Sequence, residues 1–305
     1  MKYFANCDEE VPAVYSSDAI KYLSARFPLH TQGLAILGVY LALQSVYLHS
    51  SGHAHVRWPE FVAGGAAFGL LFIQLRLVDD IDDFDNDARG RFAGSRSRVS
   101  RRRLVATLGL VTALAILLSL WSWQALTDVL GASLLMVLAP VTAKRPGLAL
   151  RRPLLAILYE GAPALIILYG YLAWSTYSGG SSPWYVAACA TALFWAGYEF
   201  WKFSRKLDQP GYRPYDLGLA QRYAALICLL IFAELNGVAL YLSDRMATSA
   251  RLFGLLLPLL FIAWLGAWRR TAPTAADARG PAWSGLTFVS VLAAGLLAGT
   301  AILPR

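Results

Sequence analysis

The sequence predicts an all-α, polytopic membrane protein with nine spanning helices, and three observations lead there. The 305 residues are 57% hydrophobic and only 15% charged, with a mean hydropathy of +0.49, too apolar for a soluble domain of this length. Nine apolar runs follow one another, each near the ~20 residues that a hydrocarbon core about 30 Å thick requires. Of the 27 Lys and Arg residues, 23 fall in alternate connecting regions and 4 in the others. That bias sets the N-terminus in the cytoplasm and, after an odd number of crossings, the C-terminus outside.

Taken in order, residues 1–30 form a cytoplasmic N-terminal segment. Asp8, Glu9, Glu10 and Asp18 and the lack of an early apolar core argue against a cleavable signal peptide. The spanning domain then occupies 31–305, with helices expected at 31–50, 61–78, 104–123, 125–143, 153–174, 184–203, 222–242, 251–268 and 283–303. The connection near Trp123 and Gln124 is so short that the third and fourth helices must form a tight antiparallel pair. Arg57, Arg245, Arg251 and Arg305 are the four outer cations. A net charge of +8 reflects membrane orientation and contact with anionic lipid or substrate, and nothing calls for nucleic acid.

The chemistry concentrates at the inner end of the second helix. Six aspartates stand in the nine residues Asp79 to Asp87. Carboxylates three or four residues apart on a helix repel one another, so the cluster suggests a divalent cation or a cation-bridged anionic substrate. Arg76, Asp80, Asp83 and Asp87 recur at i, i+4, i+7 and i+11, a single stripe along a helix. A solvated acidic loop is the plain alternative.

A second loaded segment closes the sixth helix, where Glu199, Lys202 and Lys206 share a face at i, i+3 and i+7 and Arg205 stands one position off it. Lys and Arg at a cytoplasmic helix end also follow from snorkelling and the positive-inside bias. Glu199, about one turn inside the boundary, needs a partner or a polar cavity. Phe194, Trp195, Tyr198 and Trp201 lead towards this segment, and Tyr159 sits beside Glu160. Such rings either stabilise a cation or simply pack. Glu160, Glu234 and Asn236 are read as the remaining polar groups within the membrane. Cys7, Cys189 and Cys228 show no ligand or redox spacing. His53 and His55 read as outer-loop residues.

These residues resemble the UbiA superfamily of intramembrane prenyltransferases, a nine-helix fold with Asp-rich motifs at the cytoplasmic ends of helices two and six. The family's Arg-x-x-Asn-Asp-x-x-Asp-x-x-x-Asp is similar to Arg76-Leu77-Val78-Asp79-Asp80-Ile81-Asp82-Asp83-Phe84-Asp85-Asn86-Asp87, with Asp79 in place of the Asn. Pro140 to Arg145 resembles the basic element after helix four. The second motif departs from the family: only Glu199 holds its first acidic position, Phe203 stands four residues on, and Lys202, Arg205 and Lys206 surround it. The Arg-Pro usual after the first motif is missing at Ser95 to Arg98.

The resemblance implies a bundle with a central cavity opening to the cytoplasm, and a Mg²⁺-dependent enzyme that ionises an isoprenoid diphosphate. The prenyl group would pass to a lipophilic or aromatic acceptor. The alternative is a terpene cyclase of the same superfamily, acting intramolecularly, and an ion-coupled transporter is a third class. On this reading Asp79, Asp80, Asp83 and Asp87 are the metal ligands. Arg76, Lys144, Lys202, Arg205 and Lys206 hold the diphosphate, and Asp80, Asp83, Glu199 and Lys202 take the catalytic roles. The partners are a prenyl diphosphate, its acceptor and the bilayer, with no obligate protein partner.

Overall fold

The computed structural model describes residues 33–51, 57–82, 84, 100–143, 151–173, 182–206 and 219–242, together with Phe27. Seven helices account for nearly all of them: α1 Leu34–Ser51, α2 Trp58–Asp82, α3 Arg101–Ser119, α4 Trp123–Ala143, α5 Arg151–Leu172, α6 Trp184–Lys206 and α7 Leu219–Tyr241. They coincide with the first seven expected spans. The expected eighth and ninth, 251–268 and 283–303, lie outside the described residues, as does the N-terminal segment 1–26. The boundaries differ most at α3, which stops at Ser119 rather than 123, and at α2, which continues past residue 78 to Asp82. Asp79 and Asp80 therefore ride on the helix and do not begin a loop.

The sharp turn between α3 and α4 is built by local hydrogen bonds. The Ser122 amide donates to the Ser119 carbonyl at 3.2 Å, and the Trp121 indole N–H donates to the Leu118 carbonyl. The Ser122 hydroxyl then accepts from the Ala125 amide at 3.2 Å and the Ser122 carbonyl from the Leu126 amide at 2.9 Å. Ser122 is thus the N-cap of α4. Ser100 does the same for α3, accepting from the Arg103 amide.

Helices α1, α2 and α5 meet at the centre, with α3 and α4 on one side and α6, followed by α7, on the other. Two close approaches need glycine. A Cβ on Gly64 or Gly65 would stand 2.8 or 2.9 Å from the Tyr40 ring system, and one on Gly170 would stand 2.6 Å from Phe68. Tyr40 lies flat enough on α2 for its hydroxyl to donate to the Phe61 carbonyl at 2.8 Å. Gln44 reaches from α1 to the unpaired end of α5, donating to the Gly170 carbonyl at 2.6 Å. That bond gives a donor to a carbonyl of the last helical turn, where helix ends need one.

Contacts at the helix ends give the direction of each helix. Ser50, Tyr171 and Ser182 join their hydroxyls at 2.5 to 2.9 Å, so α1 ends, α5 ends and α6 begins on one rim. Ser119 and Tyr169 hydroxyls, 3.2 Å apart, add the end of α3. The start of α2 is there too, since a Cβ on Gly64 would lie 3.2 Å from Ala173. Helices α2 and α6 therefore run parallel, and both finish on the opposite rim.

Outside this core the surface is apolar: Leu110, Leu114 and Leu117 on α3, and Ile227, Ile231 and Leu235 on α7, are exposed. Trp58–Ile81, Arg101–Ser119 and Tyr223–Leu240 are long and apolar enough to cross a membrane. Exposed leucine and isoleucine over whole helix faces are stable only against hydrocarbon. The chain is a membrane protein.

Candidate active site

At the rim where α2 ends, Arg76 places its guanidinium between two neighbouring carboxylates. Nη1 lies 2.8 Å from Asp79 Oδ2 and Nη2 lies 3.0 Å from Asp80 Oδ1. The i, i+3 and i, i+4 spacings put both acids within reach of one side chain. Their settings differ: the Asp79 side chain is 53% exposed and that of Asp80 only 2%. An ionised carboxylate that deep needs a cation, and Arg76 supplies one. The stripe expected from sequence is present as far as it can be followed, from Arg76 to Asp80. The arginine also grips Asp79, the residue standing where the resembled motif has Asn.

Towards the membrane interior the same face of α2 becomes aromatic. Phe72 is seven residues before Asp79, two turns along one stripe and about 10 Å along the axis. Its ring meets Tyr198 of α6 with centroids 6.1 Å apart and Phe68 at 5.2 Å. Helices α2 and α6 are not a closely packed pair of backbones, so these two rings bridge them. Phe72 and Tyr198 are both half-buried, whereas Phe68, Leu71, Leu43 and Tyr40 beyond them are fully buried.

Glu199 follows Tyr198 and is 1% exposed. Because α6 continues past the expected apolar span to Lys206, Glu199 stands about two turns from the helix end. It stands near the level of Phe72, deeper than Asp79 and Asp80. The aromatics expected on α6 separate by direction: Tyr198 meets α2, whereas Trp195 packs edge-on against Phe232 of α7 at 6.1 Å.

Lys202, Arg205 and Lys206 belong to the last two turns of α6, on the rim where α2 ends. Their side chains, like those of Tyr159, Glu160 and Trp201, lie outside what is described. Asp83, Asp87 and Lys144 are outside the described residues altogether. Among the described residues no group of three or more potential metal ligands gathers. Asp79 and Asp80 are the described part of the expected set.

Within α7 the Asn236 amide donates to the Phe232 carbonyl at 2.8 Å. Three polar groups within the membrane were missed by the sequence reading. Gln44 caps α5, and Gln74 accepts from the Ser133 hydroxyl at 3.1 Å across α2 and α4. Asp128 on α4 keeps a buried Oδ2 without a hydrogen-bond partner among the described residues. Single polar residues in otherwise apolar runs were the available signal.

The arrangement of helices is shared with known structures. A UbiA homologue from Aeropyrum pernix K1 matches with a TM-score of 0.63 over 88% of this chain and 98% of its own, at 18% identity. A UbiA homologue from Archaeoglobus fulgidus, bound to GPP and Mg²⁺, matches with 0.64 over 92% and 99%, at 13% identity. The chain has the UbiA fold. A structure concerned with digeranylgeranylglyceryl phosphate synthase also shares this UbiA fold, with 0.57 over 94% and 99% at 16% identity. At the level of sequence, no family model and no curated protein matches the chain.

Proposed function

We propose that the protein is a Mg²⁺-dependent prenyltransferase of the UbiA superfamily, ionising an isoprenoid diphosphate and transferring the prenyl group to a lipophilic or aromatic acceptor. The observation that carries this reading is the Arg76, Asp79 and Asp80 cluster at the end of α2, on a fold whose A. fulgidus representative was seen with GPP or DMAPP and Mg²⁺. Adjacent carboxylates at a helix end offer hard oxygen donors, which suit Mg²⁺. Asp79 and Asp80, with Asp83 and Asp87 of the same motif, would hold it, and Mg²⁺ there would stabilise charge developing on the leaving diphosphate.

The chain's own cations share that task. Arg76 orients the two carboxylates and offsets half of their charge in the absence of substrate. Lys202, Arg205 and Lys206, carried by α6 to the same rim, suit the phosphate oxygens, and Lys144 would add to them. This explains how a chain without the second acidic pair keeps the chemistry. Beyond the charged rim, the Phe72 and Tyr198 rings offer an apolar surface to the prenyl chain and exclude water. The rim opens to the cytoplasm, as the distribution of Lys and Arg requires.

The buried Glu199 beside those rings favours a second reading, intramolecular cyclisation, in which its carboxylate accepts the proton lost when the cation is quenched. The test is incubation of detergent-purified protein with prenyl diphosphates and Mg²⁺, with and without an aromatic acceptor. Diphosphate release with an alkylated acceptor supports transfer, and release with a cyclic hydrocarbon supports cyclisation. No Mg²⁺-dependent release from any prenyl diphosphate would overturn both.

A further inference from the structure

We infer that Phe72 and Tyr198 form a stop that limits the prenyl diphosphate to one or two isoprene units. The inference rests on the proposed function, since it takes the diphosphate to sit at Asp79 and Asp80. From Asp79 of that pair, Phe72 lies on the same stripe of α2, about 10 Å farther into the membrane. An extended isoprene unit adds four C–C bonds, about 5 Å, and the metal-bound diphosphate takes up part of the axial distance, so the rings are met within the first or second unit and a third must pass them. The Phe72 and Tyr198 centroids are 6.1 Å apart across α2 and α6, which leaves no room for a hydrocarbon chain between them.

The path beyond is also filled. Phe68 stacks edge-on behind Phe72 at 5.2 Å, and Tyr40 follows at 5.6 Å. Phe68, Leu71 and Leu43 are wholly buried. A Cβ on Gly170 would come within 3.0 Å of both Phe68 and Leu43, so the α1, α2 and α5 contact is closed as tightly as glycine permits. The two half-buried rings thus stand at the edge of the packed core formed by Phe68, Leu71 and Leu43. Interiors packed to this density do not yield to an extra chain without displacing side chains.

The experiment compares purified wild type, Phe72→Leu, Tyr198→Leu and Phe72→Ala on prenyl diphosphates of one, two, three and four isoprene units. Diphosphate release gives kcat/KM for each length, and thermal stabilisation by the matching unreactive thiodiphosphates gives binding. Wild type should favour one or two units over four by at least ~10-fold. Each variant should raise the three-unit to two-unit ratio by at least ~10-fold, with Phe72→Ala giving the largest change. The leucine variants keep an apolar side chain and so keep the comparison available if Phe72→Ala fails to fold. Equal use of all lengths by wild type, or an unchanged ratio in the leucine variants, would overturn the stop while leaving the proposed function standing. If no length is turned over, the proposed function falls, and equal stabilisation by all four thiodiphosphates would remove the stop with it.

Discussion

Arg76 decides much at the scale of single residues, because it holds an exposed and a buried carboxylate at once. Removing it leaves Asp80 charged and buried, so Arg76→Ala should lower stability by about 3 kcal/mol, the low end for a broken buried pair because the guanidinium is partly open to solvent. Thermal unfolding in detergent measures this. Arg76→Lys should restore little, since a lysine cannot address two carboxylates with a planar fork. Asp85 lies off the Arg76 and Asp80 stripe, so Asp85→Ala should affect turnover far less than Asp80→Ala. Equal losses would count against a one-face site. The Arg76 and Asp80 pairing was legible in sequence because i, i+4 spacing is a local property of a helix. The roles of Phe72, Gln74 and Asp128 were not, because each depends on which helix stands opposite.

Among elements, α6 carries the main departure from the resembled pattern and α5 carries the packing constraint. If Lys202 and Lys206 bind diphosphate, Lys202→Ala and Lys206→Ala should weaken substrate binding while leaving the Mg²⁺ affinity of the free enzyme nearly unchanged, because no metal ligand is lost. Calorimetry with Mg²⁺ alone, set beside substrate kinetics, separates the two effects. In α5, Gly170→Ala should cost about 1–3 kcal/mol, since its Cβ would overlap Phe68 at 2.6 Å in a core with no slack. An unchanged melting temperature would mean that α1, α2 and α5 separate more easily than their packing indicates. The positions of all seven helices were readable from apolar run length, with ends differing by a few residues. Helices α2 and α6 lengthened where the chain continued a helix beyond its apolar run, carrying its acids and its lysines as further turns, whereas α3 stopped short at the Ser119 turn. Hydropathy marks where lipid ends, whereas backbone hydrogen bonding marks where the helix ends.

For the whole molecule, a parallel α2 and α6 bring both charged segments to one rim, and the expected orientation places that rim in the cytoplasm. A reporter inserted near Ser95 should then be cytoplasmic and one fused after Arg305 external. Both on one side would require an even number of crossings. Fold class was legible from composition and charge alternation because these are properties of the entire chain. Closure of the interior beyond Phe72 was not, because it depends on helix pairs far apart in sequence. The central claim is that the α2 carboxylates serve Mg²⁺-assisted loss of diphosphate, and it is tested most directly by a Mg²⁺ titration of diphosphate release from geranyl diphosphate. The wild type should show saturable dependence on Mg²⁺, and Asp80→Ala should fall by at least ~10²-fold at every Mg²⁺ concentration, corresponding to about 3 kcal/mol or more of lost transition-state stabilisation. Release that persists in excess chelator, or an Asp80→Ala variant with wild-type rates, would contradict the account.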